Sequence, residues 1–134
     1  MNNQPILCPC GNANKEYTDC CAGYLKGCKD PTTAEALMRS RYTAYTLGNE
    51  DYLLSTWHPS TRPDSLKLAD GPHKKWLGLR VSRHEQTGEN HSVVEFVARY
   101  KVGGRAHRLH EISRFVHKSG RWFYVDGVTP PETG

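Results

Sequence analysis

From Trp76 to Asp126 the chain alternates apolar and polar side chains with a period of two, the pattern of strands with one buried face. Between Thr32 and Trp57 the apolar positions recur every three to four residues instead, as on a half-buried helix. The change of period predicts helices first and a meander of strands afterwards. The expected strands are Trp76 to His84, His91 to Val102, Arg105 to His117 and Arg121 to Asp126. Gly103-Gly104 and Ser119-Gly120 read as two-residue hairpin turns, which fix the register. Phe96 then faces Glu111, Ala98 faces Leu109, Phe115 faces Tyr124 and Ser113 faces Asp126. One face of the sheet carries Val94, Phe96, Ala98, Leu109, Phe115 and Tyr124, with Glu111, Ser113 and Asp126 among them. The other carries Glu95, Arg99, Arg108, His110 and Arg114. The first face is the one that packs against the helices.

Pro31 followed by Thr32-Thr33-Ala34-Glu35 reads as a capping box that starts a helix at Thr32, and Gly48-Asn49 ends it. Its stripe is Ala34, Leu37, Met38, Arg41, Ala44 and Tyr45. A shorter helix is expected from Glu50 to Trp57, capped by Asn49 and stopped by His58-Pro59, with Tyr52, Leu53, Thr56 and Trp57 inward. Residues 59–73 contain three prolines and a glycine and read as an irregular loop, with a helical turn at Asp64 to Ala69. Helices followed by an antiparallel meander make an α+β domain.

The first quarter follows neither period. Four of the five cysteines lie within fourteen residues, as Cys8-Pro9-Cys10-Gly11 and Cys20-Cys21. Adjacent cysteines rarely bond to each other, and four thiolates are the ligand set of a closed structural zinc site. Zn2+ on Cys8, Cys10, Cys20 and Cys21 is therefore expected as a structural ion, with iron–sulfur ligation as the alternative. Lys15, Lys26 and Lys29 would offset the charge of the tetrathiolate. Cys28 is the spare thiol, a bystander or a substitute for one member of the Cys20-Cys21 pair. The division expected is a knuckle over residues 1–28 and a domain over 29–134.

Composition narrows the class further. At 134 residues the chain holds one modest core. No run of eighteen apolar residues exists, and the first residues lack the basic-then-apolar order of a signal peptide. Unexported cysteines imply a reducing, cytoplasmic setting. A net charge of +4 falls short of a nucleic-acid-binding signature. Two small basic clusters, His73-Lys74-Lys75 and Arg105-His107-Arg108, read first as solvated surface, with an acidic protein or RNA as the lesser reading.

The knuckle, Cys8-Pro9-Cys10-Gly11 with Tyr17 and Cys20-Cys21, resembles the SEC-C motif, the zinc-binding tail of the SecA translocation ATPase. Its loop, Gly11 to Asp19, is one residue longer than is usual there. The remainder resembles the YchJ family of uncharacterised bacterial proteins. That resemblance rests on Met38 to Tyr45, Asp51-Tyr52-Leu53, Thr56 to Ser60, Trp76 to Leu79, Glu111 with Ser113-Arg114-Phe115, and Trp122 with Tyr124 and Asp126-Gly127. The resemblance implies a nuclear transport factor 2-like cone, in which a curved antiparallel sheet wraps around helices. It also implies association with a protein partner, a SecB-like chaperone or the ribosome, and nucleic acid only through the latter.

Two polar residues break the apolar faces: Arg41 on the helix stripe and Glu111 on the sheet. A buried carboxylate must be paired, protonated or open to a pocket. The first expectation is a buried Arg41–Glu111 ion pair. The alternative is a polar-floored pocket with Glu111 or Asp126 as general base and Tyr42 and His58 on its rim. Two function classes follow. The chain is an interaction module, or it is a small-molecule binder or enzyme that uses the cavity of the cone. An open cavity over Glu111 would favour the second, and a plugged one the first.

Overall fold

The computed structural model describes residues 6–11, 15–27, 29–66 and 74–130. Four strands, β1 (Lys75–Gly88), β2 (His91–Val102), β3 (Arg105–Lys118) and β4 (Arg121–Val128), form one antiparallel sheet in sequence order. Gly103 and Gly104 both have positive φ (57° and 80°), as a mirror-image two-residue turn requires. Ser119 and Gly120 do the same (54° and 79°). These turns set the register Phe96 to Glu111, Ala98 to Leu109 and Phe115 to Tyr124. β1 runs four residues past His84 because cross-strand pairing with β2, including Arg83 with Glu95, holds its polar end.

One expected pairing is not found. A bulge between Arg114 and Phe115 in the β3–β4 ladder sets Ser113 opposite Gly127 and Arg114 opposite Asp126. Asp126 therefore leaves the inner face, and its carboxylate accepts from Arg114 Nε at 2.6 Å. An extra residue in one strand moves every later side chain to the other face.

The helices cover the inner face. α2 spans Ala34–Leu47 and α3 spans Glu50–Ser55. The cap of α2 is Thr33, one residue later than the capping box suggests. Its hydroxyl accepts from Ala36 N at 3.0 Å, while Glu35 pairs with Arg39 one turn on. Thr33→Ala should cost about 1 kcal/mol in a denaturant titration, the usual loss for an N-cap hydroxyl. Gly48 ends α2 in the left-handed conformation (φ 70°), and the Asn49 side chain caps α3 by accepting from Tyr52 N at 3.1 Å. α3 stops at Ser55, short of Trp57, because the chain turns into an edge contact: Tyr124 N donates to Thr56 O, and His58 N donates to Tyr124 O. That bridge covers the open edge of β4. Residues 59–66 are irregular, and the expected turn at Asp64 to Ala69 lies in part outside the described residues.

α2 is buried on two sides. Leu37, Met38 and Arg41 face the sheet, and Ser40, Thr43 and Ala44 are buried as well. On the knuckle, Leu7 bridges to Glu16, Tyr17–Asp19 form a 3-10 turn, and α1 covers Ala22–Leu25. Cys8, Cys10, Cys20 and Cys21 join Leu37, Met38, Val94, Phe96 and Phe115 in one buried cluster. Among the described residues no helix is long and apolar enough to cross a membrane.

Candidate metal centre and cone cavity

The knuckle hairpin and the 3-10 turn bring four sulfurs together. Cys8 N donates to Lys15 O, and Gly11, with φ +71°, donates back to Cys8 O across the turn. The Sγ atoms of Cys8, Cys10, Cys20 and Cys21 all lie within 4.8 Å of one another. Cys10 and Cys20 are 3.6 Å apart and Cys20 and Cys21 3.9 Å, too far for disulfides. None of the four residues is more than 8% exposed. Burial, with the Cys10 sulfur next to it, pushes the Cys20 thiol up to about 11. Contact with Cys10 and then burial push Cys21 up as well, against a lowering contact from Thr43. Cys20 and Cys21 resist ionising unless a cation joins the cluster, and this donor set of four sulfurs could hold a metal ion. Cys28 lies outside the described residues.

Two contacts tie the cluster to α2. Arg39 donates to Cys10 O at 2.8 Å, and Thr43 Oγ1 lies 3.7 Å from Cys8 Sγ. Of the expected lysines, Lys29 sits 4.9 Å over the Tyr24 ring; burial, then Cys20 and Cys21, raise the Tyr24 phenol, and Lys15 opposes them.

The second site is a cavity of about 580 Å3 between α2 and the sheet. Its walls are apolar and aromatic, with Trp76, Phe96 and Phe115 prominent, and the exposed Lys74 and Leu47 stand at its edge. Arg41, Tyr42 and Glu111 line it; His58 and Asp126 do not. His58 Nδ1 lies 2.7 Å from Ser60 Oγ, and its ring meets Phe123 beside β4. Asp126 is on the outer face by the bulge.

The expected Arg41–Glu111 ion pair does not form. Arg41, 5% exposed, donates to Leu53 O and Thr56 Oγ1, both at 2.7 Å. Its guanidinium lies 4.4 Å from the Tyr124 ring centre and 5.1 Å from that of Trp57. The last carbonyls of a helix lack intrahelical partners and attract cations, so the end of α3 takes the place of a carboxylate. Burial lowers the Arg41 pKa, and the neighbouring tyrosines, ahead of Glu111, oppose the shift. Burial also raises the phenols of Tyr45 and Tyr124, which stay neutral. Glu111 instead accepts from Ser113 Oγ at 2.5 Å. Its carboxyl lies over Gly127, where a Cβ would come within 2.8 Å of Glu111 Cγ and closer to the carboxyl. Glu111→Gln should then stay within about 1 kcal/mol of the wild type in urea titration, because no buried cation loses a direct partner.

Sequence reasoning missed Tyr45, Lys74 and Trp76 as part of this site, and Gly127 as the residue that Glu111 lies over. The inward face of β1 could have been found from the Trp76, Leu79 and Val81 spacing once the Leu77 bulge is allowed for. Nothing local marks Gly127 as the residue beneath Glu111.

Comparison with known proteins gives the setting. Residues 33–127 match the family described as the YchJ middle NTF2-like domain. A UPF0225 protein of Cupriavidus metallidurans is 57% identical over 129 residues, covering 92% of this chain and 89% of that protein. One from Chromobacterium violaceum is 57% identical over 125 residues, covering 90% and 91%. The solution structure of a SEC-C motif containing protein from Rhodopseudomonas palustris superposes with a TM-score of 0.84 at 35% identity, covering 94% of this chain and all of that one. The crystal structure of a SEC-C motif containing protein from Psychrobacter arcticus gives 0.78 at 27% identity, covering 96% and 85%. A domain match over most of the length, relatives near 57% identity and a shared fold that includes the cysteine segment agree: the chain belongs to the YchJ (UPF0225) family, with an NTF2-like domain and a SEC-C-type cysteine cluster.

Proposed function

We propose that this is a cytoplasmic protein in which one structural Zn2+ staples residues 1–28 onto a ligand-binding domain formed by 29–134. A tetrahedral zinc with Zn–S bonds of about 2.3 Å separates its sulfurs by about 3.8 Å. The 3.6 and 3.9 Å separations bracket that value. A four-iron cluster would attach each thiolate to a different iron and hold the sulfurs farther apart than 4.8 Å. Zinc here would supply folding free energy, and with four thiolates it would keep no position for substrate.

The observation that carries the binding function is the cavity over Glu111. A carboxylate held by Ser113 faces about 580 Å3 of space, within the range of small-molecule sites. The ligand that fits is a small molecule with an apolar or aromatic body for Trp76, Phe96 and Phe115 and an amine or hydroxyl for Glu111. The test is titration with 2-phenylethylamine, followed by the indole N–H resonance of Trp76. Saturable movement that disappears in the cavity-filling variant Ala98→Phe supports the reading. No saturable movement with this amine or with neutral aromatic alcohols would contradict it.

The second reading, association with a SecB-like chaperone or the ribosome, has its own support. Ile6 and Leu7, on the hairpin that carries Cys8, are 77% and 55% exposed. Purified chaperone or ribosomes should bind the wild type and lose Ile6→Ser/Leu7→Ser; equal retention of both proteins, or of neither, would remove this reading.

A further inference from the structure

The cavity holds a cation that no acid neutralises. Among the described residues its charged side chains are Arg41, Lys74 and Glu111, two cations against one carboxylate. Arg41 is buried, and both of its hydrogen bonds, to Leu53 O and Thr56 Oγ1, come from Nη1. It also acts on the Tyr45 phenol, which burial raises and Arg41 lowers. All of these partners are neutral. A charge taken out of water is costly until an opposite charge joins it. Lys74 stands at the edge, exposed, with its Nζ 5.1 Å from the Tyr100 ring centre and 5.9 Å from that of Trp76.

The free edges of Arg41 and Glu111 open into the same space. Arg41 Nε and Nη2 donate in no hydrogen bond among the described residues, and no buried side-chain nitrogen or oxygen there lacks a partner. Neither atom is therefore sealed in, and the space that Arg41 lines is the cavity. The same holds for Glu111: Ser113 occupies Oε2, and Oε1 is left open. Burial first and Glu111 next raise the Tyr124 phenol, whose ring centre lies 4.4 Å from the Arg41 guanidinium. The two charges thus neighbour one tyrosine without touching each other. A ligand that carried only an amine would satisfy Glu111 and leave the positive charge of the cavity in greater excess. A ligand that carried only an acid would leave Glu111 facing it. One molecule with both groups matches both open edges.

We propose that the cavity takes a zwitterion, an aromatic amino acid, with its carboxylate on Arg41, its ammonium on Glu111 and its ring against Trp76, Phe96 and Phe115. This rests on the cavity being the binding site proposed above and adds the charge of its ligand.

The test is titration of the intact chain with three probes of one aromatic body: L-phenylalanine, 2-phenylethylamine and 3-phenylpropionate, followed by calorimetry and by the Trp76 indole resonance. L-phenylalanine should bind at least about tenfold more tightly than either of the others, the scale of one charge-assisted hydrogen bond. Arg41→Met should bring L-phenylalanine down to the affinity of 2-phenylethylamine without weakening the amine. Glu111→Gln should bring it down to that of 3-phenylpropionate. Where Arg41→Met does not fold, the wild-type series and Glu111→Gln decide. Raising salt from about 50 to about 500 mM should cost the amino acid less than about threefold, since a buried pair is little screened.

Equal binding of 2-phenylethylamine and L-phenylalanine would overturn the zwitterion and leave the cavity as a site for amines. Equal binding of 3-phenylpropionate would overturn it in favour of a plain acid. Loss of the amino acid's advantage at high salt would move the carboxylate to the exposed Lys74 and overturn the role of Arg41. Binding of none of the three would remove the cavity reading as well.

Discussion

Cys10→Ser is expected to lose the bound metal and to lower Tm by about 10 °C or more while leaving the sheet folded at room temperature. Cys10 is fully buried, its carbonyl accepts from Arg39, and its sulfur sits with three others against α2. A structural metal contributes its binding free energy to folding, and a serine in a four-sulfur shell removes one strong ligand. The knuckle should therefore disorder first. The sheet keeps its own apolar face, with Val94, Ala98 and Phe115 at most 1% exposed, and should survive. The loss is still felt beyond the knuckle, since Thr43, fully buried on α2, lies against Cys8 Sγ and Arg39 of the same helix donates to Cys10 O. For a chain of this size 1 kcal/mol moves Tm by about 3–5 °C, so a 10 °C drop means a loss of roughly 2–3 kcal/mol. Chelation of the wild type should reproduce it. Far-ultraviolet dichroism and thermal melting check both parts. An unchanged Tm would detach the cluster from the domain, and complete loss of strand signal would show that the sheet has no stability of its own.

Gly127→Ala should destabilise the protein by about 2–3 kcal/mol, the cost of forcing an extra carbon into packed space. The Cβ would land on the Glu111 side chain, which Ser113 holds in place. Glu111→Ala in the same chain should recover most of that loss, because the clash is with this one side chain. Gly78→Ala is the matched control on β1, where a Cβ meets nothing within 4 Å, and should be nearly neutral. Urea titration of the four variants gives the coupling energy. Additive effects of Gly127→Ala and Glu111→Ala would mean that the carboxylate does not rest on β4.

The legible part of the structure was that dictated by local chemistry. Gly103-Gly104 and Ser119-Gly120 announced turns that need positive φ, and the period-two pattern between them left no freedom in the pairing of Phe96 with Glu111. The convergence of Cys8, Cys10, Cys20 and Cys21 was legible because thiols clustered so densely have few other uses. The errors came from long-range effects. Asp126 continued a regular alternation on paper, and only pairing against β3 places the bulge that turns it outward. Arg41 and Glu111 looked like partners because pattern reading counts side chains, whereas the acceptor that Arg41 uses, Leu53 O, is a backbone group freed by the end of α3. Thr33 displaced Thr32 as cap by one residue, a difference between two adjacent and chemically identical candidates. The pocket over Glu111 was stated only as an alternative for a related reason: its volume depends on how far α2 stands from the sheet.

X-ray absorption at the zinc edge on the purified protein shows whether the four cysteines form a closed metal centre. One zinc per chain with four sulfur neighbours at about 2.3 Å, and no nitrogen or oxygen in the shell, is the expected result. A shell containing nitrogen, oxygen or water, or an iron–sulfur spectrum in place of zinc, would contradict it.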